Sequence, residues 1–100
     1  MITKDSISRI LGRGRNSARS SKDICAWLGI KLRDLTNAIM LERRAGAPIC
    51  STTSGDARGY FLAANKKEMQ QFCSSLLRRE HEIDKTRRAC MQTIEDLPDE

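Results

Sequence analysis

Apolar residues recur at helical spacing in three short blocks near the start of the chain and along one long stretch at its end. In the first block Ile7, Ile10 and Leu11 share a face, Thr3 can cap the helix with Asp5 in its first turn, and Gly12 and Gly14 stop it. The stretch Arg13–Ser20 is polar and basic and reads as a flexible loop. Ser20-Ser-Lys-Asp23 is a capping box in its Asp form, and it opens a short second helix with Ile24, Cys25 and Leu28 inward. Gly29 suits the left-handed position after that helix, with Ile30 packing back across a tight turn. Lys31 to Ala45 holds neither Gly nor Pro, and Leu32, Leu35, Ala38 and Ile39 mark one side of a third helix that ends at Gly46.

Beyond Pro48, which cannot continue a helix, the period changes. Pro48-Ile-Cys-Ser-Thr-Thr53 reads as a strand, Ser54 to Gly59 is turn chemistry, and Tyr60-Phe-Leu-Ala63 is a second short strand, so the pair forms a hairpin. Asn65 caps a last helix that meets no breaker until Pro98, with Asp84 and Arg88 as a favourable i, i+4 pair. Met69, Leu76, Ile83, Cys90 and Leu97 recur in it every seven residues. The companion position carries Phe72 but then Arg79, Thr86 and Thr93, which leaves half a coiled-coil seam. The expected architecture is mainly α with a small β-hairpin: residues 1–64 as one domain, and residues 65–100 as a C-terminal helix for self-association or partner docking.

Composition narrows the class. With 39% hydrophobic and 31% charged residues the chain is too apolar for a disordered tail and too polar for a membrane protein. Its first residues lack the apolar core of a secretory signal; Arg9, Arg13, Arg15 and Arg19 would also suit a mitochondrial transit peptide, but they lead straight into the helical pattern, and a cytoplasmic location is expected. The net charge of +5 is uneven: residues 1–46 hold ten Lys/Arg against four Asp/Glu, or +6, and residues 47–100 hold eight against nine, or −1. A lopsided basic half points to a polyanion, most commonly nucleic acid.

Catalytic and metal chemistry find little footing. Cys25, Cys50, Cys73 and Cys90 are too far apart for a zinc knuckle and read as reduced, mostly buried small hydrophobes. His81 stands among Glu80, Glu82 and Asp84 as a solvated cluster, and no Gly-rich phosphate loop with a following Lys is present. No enzyme activity, metal or cofactor is expected.

The order helix, short helix, Gly turn, longer helix, hairpin is the layout of a winged helix-turn-helix, three helices plus a wing. Ile24-Cys-Ala-Trp-Leu-Gly-Ile30, Ala38-Ile39, Arg43-Arg-Ala-Gly46, Pro48-Ile49 and Gly59-Tyr-Phe-Leu62 resemble the pattern of winged-helix domains in biotin-operon-repressor-like regulators and in small phage or prophage DNA-binding proteins. One position departs from it. The pattern wants an apolar residue where Glu42 stands, beside Leu35 and Ile39, but here the apolar residue is Leu41, which predicts a rotated or overwound end to the third helix.

The resemblance implies base-edge contacts from the early outward residues of the third helix, Lys31, Arg33, Asp34, Thr36 and Asn37, with Asp34 the one better read as simply solvated. Arg43, Arg44 and Arg58 are candidates for phosphate contacts, with Arg58 at the wing tip near a minor groove. Ser20 and Ser21 could meet phosphate at a helix N-terminus, although capping alone accounts for them. Trp27 reads as core rather than as a stacking platform. Two functions follow: a small double-stranded-DNA-binding transcriptional regulator or phage accessory protein, dimeric through its last helix, or a winged-helix protein-interaction module without DNA readout.

Overall fold

The computed structural model describes residues 6–52 and 59–99, and divides the chain into two units, Met1–Gln70 and Gln71–Glu100. The described elements run α1 (Ser6–Ile10), α2 (Ser21–Leu28), α3 (Leu32–Arg44), β1 (Ile49–Thr52), β2 (Gly59–Leu62) and α4 (Lys66–Gln92), with single 3₁₀ turns at Arg15–Ser17 and Ile94–Asp96. The protein is thus mainly helical, with one antiparallel hairpin and a long C-terminal helix. No described helix is long and apolar enough to cross a membrane.

In the first unit Ile7 and Leu11, Ile24, Leu35, Ala38 and Ile39, Ile49 and Leu62 form one buried cluster, so each of α1, α2, α3 and the hairpin contributes to a single core. The turn between α2 and α3 follows from Gly29, which adopts φ 66°, ψ 38° and lets the Ile30 amide donate to the Cys25 carbonyl at 3.1 Å. Ser20 caps α2 as expected, its hydroxyl accepting from the Asp23 amide at 3.1 Å. Leu32 stands apart from the expected inner face: it opens α3 exposed to solvent, and Leu35 is the first residue of that helix to reach the core.

The end of α3 corrects a second expectation. The helix stays regular to Arg44, Leu41 faces solvent, and Glu42 is buried at 3% exposure. Its carboxylate accepts from the Ile7 amide at 3.0 Å, the Ser8 amide at 2.9 Å and the Ser8 hydroxyl at 2.6 Å. A helix of five residues is marginal in water, and its opening amides have no partner within it. Glu42 supplies that partner from another helix, so a carboxylate takes the place of the expected apolar side chain without rotating α3. Thr3 and Asp5 lie outside the described residues.

The hairpin pairs Ile49 with Leu62, Cys50 with Phe61, Ser51 with Tyr60 and Thr52 with Gly59. Gly59 is therefore part of β2 rather than of the turn. On its other edge β2 meets residues 12–19, so most of the segment expected as a flexible loop, Arg13–Ser20, is tied to the hairpin. The Tyr60 amide donates to the Arg19 carbonyl at 2.8 Å, the Arg19 amide to Tyr60 at 2.9 Å, the Leu62 amide to Gly12 at 2.8 Å and the Gly14 amide to Leu62 at 2.7 Å. Gly59 makes this approach feasible. At φ 130° it takes a conformation that L side chains avoid, and a Cβ there would overlap the Arg19 backbone.

Asn65 caps α4 as expected, its side-chain oxygen accepting from the Glu68 amide at 3.0 Å. Glu68 in turn accepts from the Ala64 amide at 2.8 Å and the Arg15 amide at 3.1 Å, which ties the 3₁₀ turn to the first turn of α4. In the second unit α4 ends at Gln92, short of the expected Pro98. The Thr93 hydroxyl and amide both donate to the Cys90 carbonyl, at 2.7 and 3.1 Å, and tighten the chain into a 3₁₀ turn. Asp84 bridges Arg88 at 2.9 Å, the expected pair, and also Arg87 at 2.8 Å. Leu76, Leu77, Ile83 and Met91 are exposed, and Phe72 is buried.

Candidate nucleic-acid interface

Thirteen residues of α3 turn through more than three turns of helix, and the core claims one side of it: Leu35, Ala38, Ile39 and Glu42 are buried. At 3.6 residues per turn the opposite side is centred on Arg33, Asn37, Met40 and Arg44, all of them exposed. Thr36 and Leu41 flank this stripe, Lys31 precedes it at the N-cap position, and Asp34 lies at its margin; all four are exposed. Two guanidinium groups and one carboxamide therefore share one solvent-facing side of a helix braced by α2. The Thr36 hydroxyl donates to the Arg33 carbonyl at 3.0 Å, back onto its own helix.

The remaining candidates are placed differently. Arg43 is half-buried, its Nε donating to the Ile49 carbonyl at 2.8 Å and its guanidinium lying 5.8 Å from the Tyr60 ring centroid, so it fastens α3 to both strands. It does not share the face of Arg33 and Arg44. Ser20 is the cap of α2, and Ser21, half-buried, is its first residue. Arg58 lies outside the described residues.

The sequence places Trp27 in the core, but the residue is 59% exposed at the end of α2, and the Arg19 guanidinium stacks 5.0 Å from its ring centroid. The i, i+4 pattern of α2 carries the reason: Ile24 and Leu28 occupy its inward side, and Trp27 falls beside that side rather than on it. Arg19 is the site feature that sequence reasoning missed. Its backbone pairs with β2 while its side chain covers an aromatic face, and the ladder to Tyr60 holds it there. The cysteines are corrected in part: Cys50 is buried and Cys25 half-buried, but Cys73 and Cys90 are exposed thiols.

Among the described residues no group of three or more His, Cys, Asp or Glu side chains is arranged to hold a metal ion. No family model, curated protein or solved structure matches the chain.

Proposed function

We propose that the first unit is a winged helix-turn-helix that binds double-stranded DNA, with α2 bracing α3, α3 entering the major groove, and the hairpin as the wing. The observation that carries this reading is the exposed stripe Arg33, Asn37 and Arg44 on the side of α3 opposite the core. Arg and Asn suit the edges of guanine and adenine, and a helix fits the width of a major groove. Arg33 and Asn37, in the first turns of α3, take the base-reading role, with Lys31 and Thr36 beside them. Arg44, at the far end, takes a phosphate role, and Arg58 is assigned the same role from the sequence alone. Arg43 positions α3 against the strands. The chain then acts as a small regulator or accessory protein in the cytoplasm, without catalysis.

A second reading is favoured by one observation: Trp27, Leu32 and Leu41 are each more than half exposed on α2 and α3, which suits a docking module. Selection of a preferred site from random duplexes, followed by fluorescence anisotropy, separates the two. DNA readout predicts a recoverable consensus that Arg33→Ala and Asn37→Ala blur at different base positions. Failure to enrich any sequence, with no binding to random duplex, would favour docking.

A further inference from the structure

In α4 the exposed apolar residues follow a second rhythm beside the seven-residue repeat. Cys73, Leu76, Ile83 and Cys90 lie on one side of the helix, three and then seven residues apart, with Leu77 and Met91 at its margin. All six are exposed, Ile83 at 69%. The same line passes through two charged residues, Glu80 and Arg87, of opposite sign. The seam is therefore Cys73, Leu76, Glu80, Ile83, Arg87 and Cys90, and it lies wholly within α4, which ends at Gln92.

We infer that α4 pairs with α4 of a second copy in antiparallel orientation, with Cys73 of one helix opposite Cys90 of the other. This register uses every seam position. Leu76 then faces Arg87, whose alkyl stem can cover it, and Glu80 faces Ile83 with Arg87 of the other copy one layer away. Along the seam the charges run Arg, Glu, Glu, Arg, so each Glu80 lies one layer from an Arg87 of the other copy and one layer from the other Glu80. A parallel in-register pair would set Glu80 against Glu80 and Arg87 against Arg87 in the same layers, where like charges repel. Arg87 now contacts Asp84 at 2.8 Å and the Met91 sulfur at 3.0 Å on its own helix. An exposed pair of that kind holds the side chain weakly, so Arg87 can turn to a partner at little cost.

The inference does not rest on DNA binding, and its test uses the full chain without DNA. Sedimentation velocity over a range of concentrations should show a monomer–dimer equilibrium. Glu80→Arg gives four positive charges on the seam and Arg87→Glu four negative ones. Each should weaken the dimer by about tenfold or more, while the double reversal Glu80→Arg/Arg87→Glu should restore it to within about threefold. A chain that stays monomeric throughout would overturn the pairing, and so would single reversals without effect, which is the result a parallel pair predicts. Helicity by circular dichroism should be alike in all four proteins. Mild oxidation with copper–phenanthroline gives an independent reading. Cys73 and Cys90 of one chain are about 25 Å apart along the helix, so a Cys73–Cys90 disulfide can form only between copies. Peptide mapping should find that bond; Cys73–Cys73 and Cys90–Cys90 bonds in its place would overturn the antiparallel register.

Discussion

Glu42 and Gly59 show how single residues fix this structure in ways their types do not announce. A carboxylate on the inner side of α3 conflicts with hydrophobic patterning, and the pattern alone reads Leu41 as the inward residue. The conflict resolves only when α1 is seen to end its amides on Glu42 at 3.0 and 2.9 Å, a contact across 35 positions of sequence that no local pattern encodes. Glu42→Leu, the residue type the winged-helix pattern wants, should therefore destabilise the protein by about 2–4 kcal/mol, because two helix amides lose a charged acceptor. Glu42→Gln keeps one acceptor oxygen and should cost about half as much. Urea denaturation of the three proteins checks the order. Gly59→Ala should cost about 2 kcal/mol or more, since the left-handed backbone and the Arg19 carbonyl both oppose a Cβ. The Gly-Tyr pair was visible in the sequence, but the approach that requires the glycine was not.

Elements with strong local signals were legible: the Ser20 cap, the Gly29 turn, the hairpin around residues 49–62 and the Asn65 cap all stand where residue chemistry put them. The edge formed by residues 12–19 was not legible, because it pairs through backbone groups and carries no alternating side chains. The end of α4 was missed for a related reason, a Thr93 side chain bonding back to its own helix. For the candidate interface the spacing of Arg33, Asn37 and Arg44 was readable, whereas the split between the adjacent Arg43 and Arg44 was not. That split makes a prediction for α3. Arg43→Ala should lower stability by about 1–3 kcal/mol through the lost Ile49 bond and Tyr60 contact, in thermal melts without DNA. Arg44→Ala should leave the melt within about 0.5 kcal/mol of the parent and weaken binding to all duplexes alike.

At the scale of the molecule, the charge asymmetry and the two units describe a division of labour. The first unit, residues 1–70, holds thirteen Lys/Arg against six Asp/Glu and carries the exposed stripe of α3, whereas the second, residues 71–100, holds five against seven and presents apolar residues along α4. Under the proposed function, joining two copies through α4 would couple two DNA-binding units, so affinity for a paired site would exceed that for a single one. The central claim, binding to a phosphate backbone through several cationic side chains, is tested most directly by the salt dependence of duplex affinity. Titrations by fluorescence anisotropy at a series of salt concentrations should give a log–log plot with a slope of about −3 or steeper, as the cationic side chains of Arg44 and Arg58 at phosphates, together with Lys31 and Arg33 in the groove, release counterions. A slope near zero, or no association with any duplex at low salt, would contradict it.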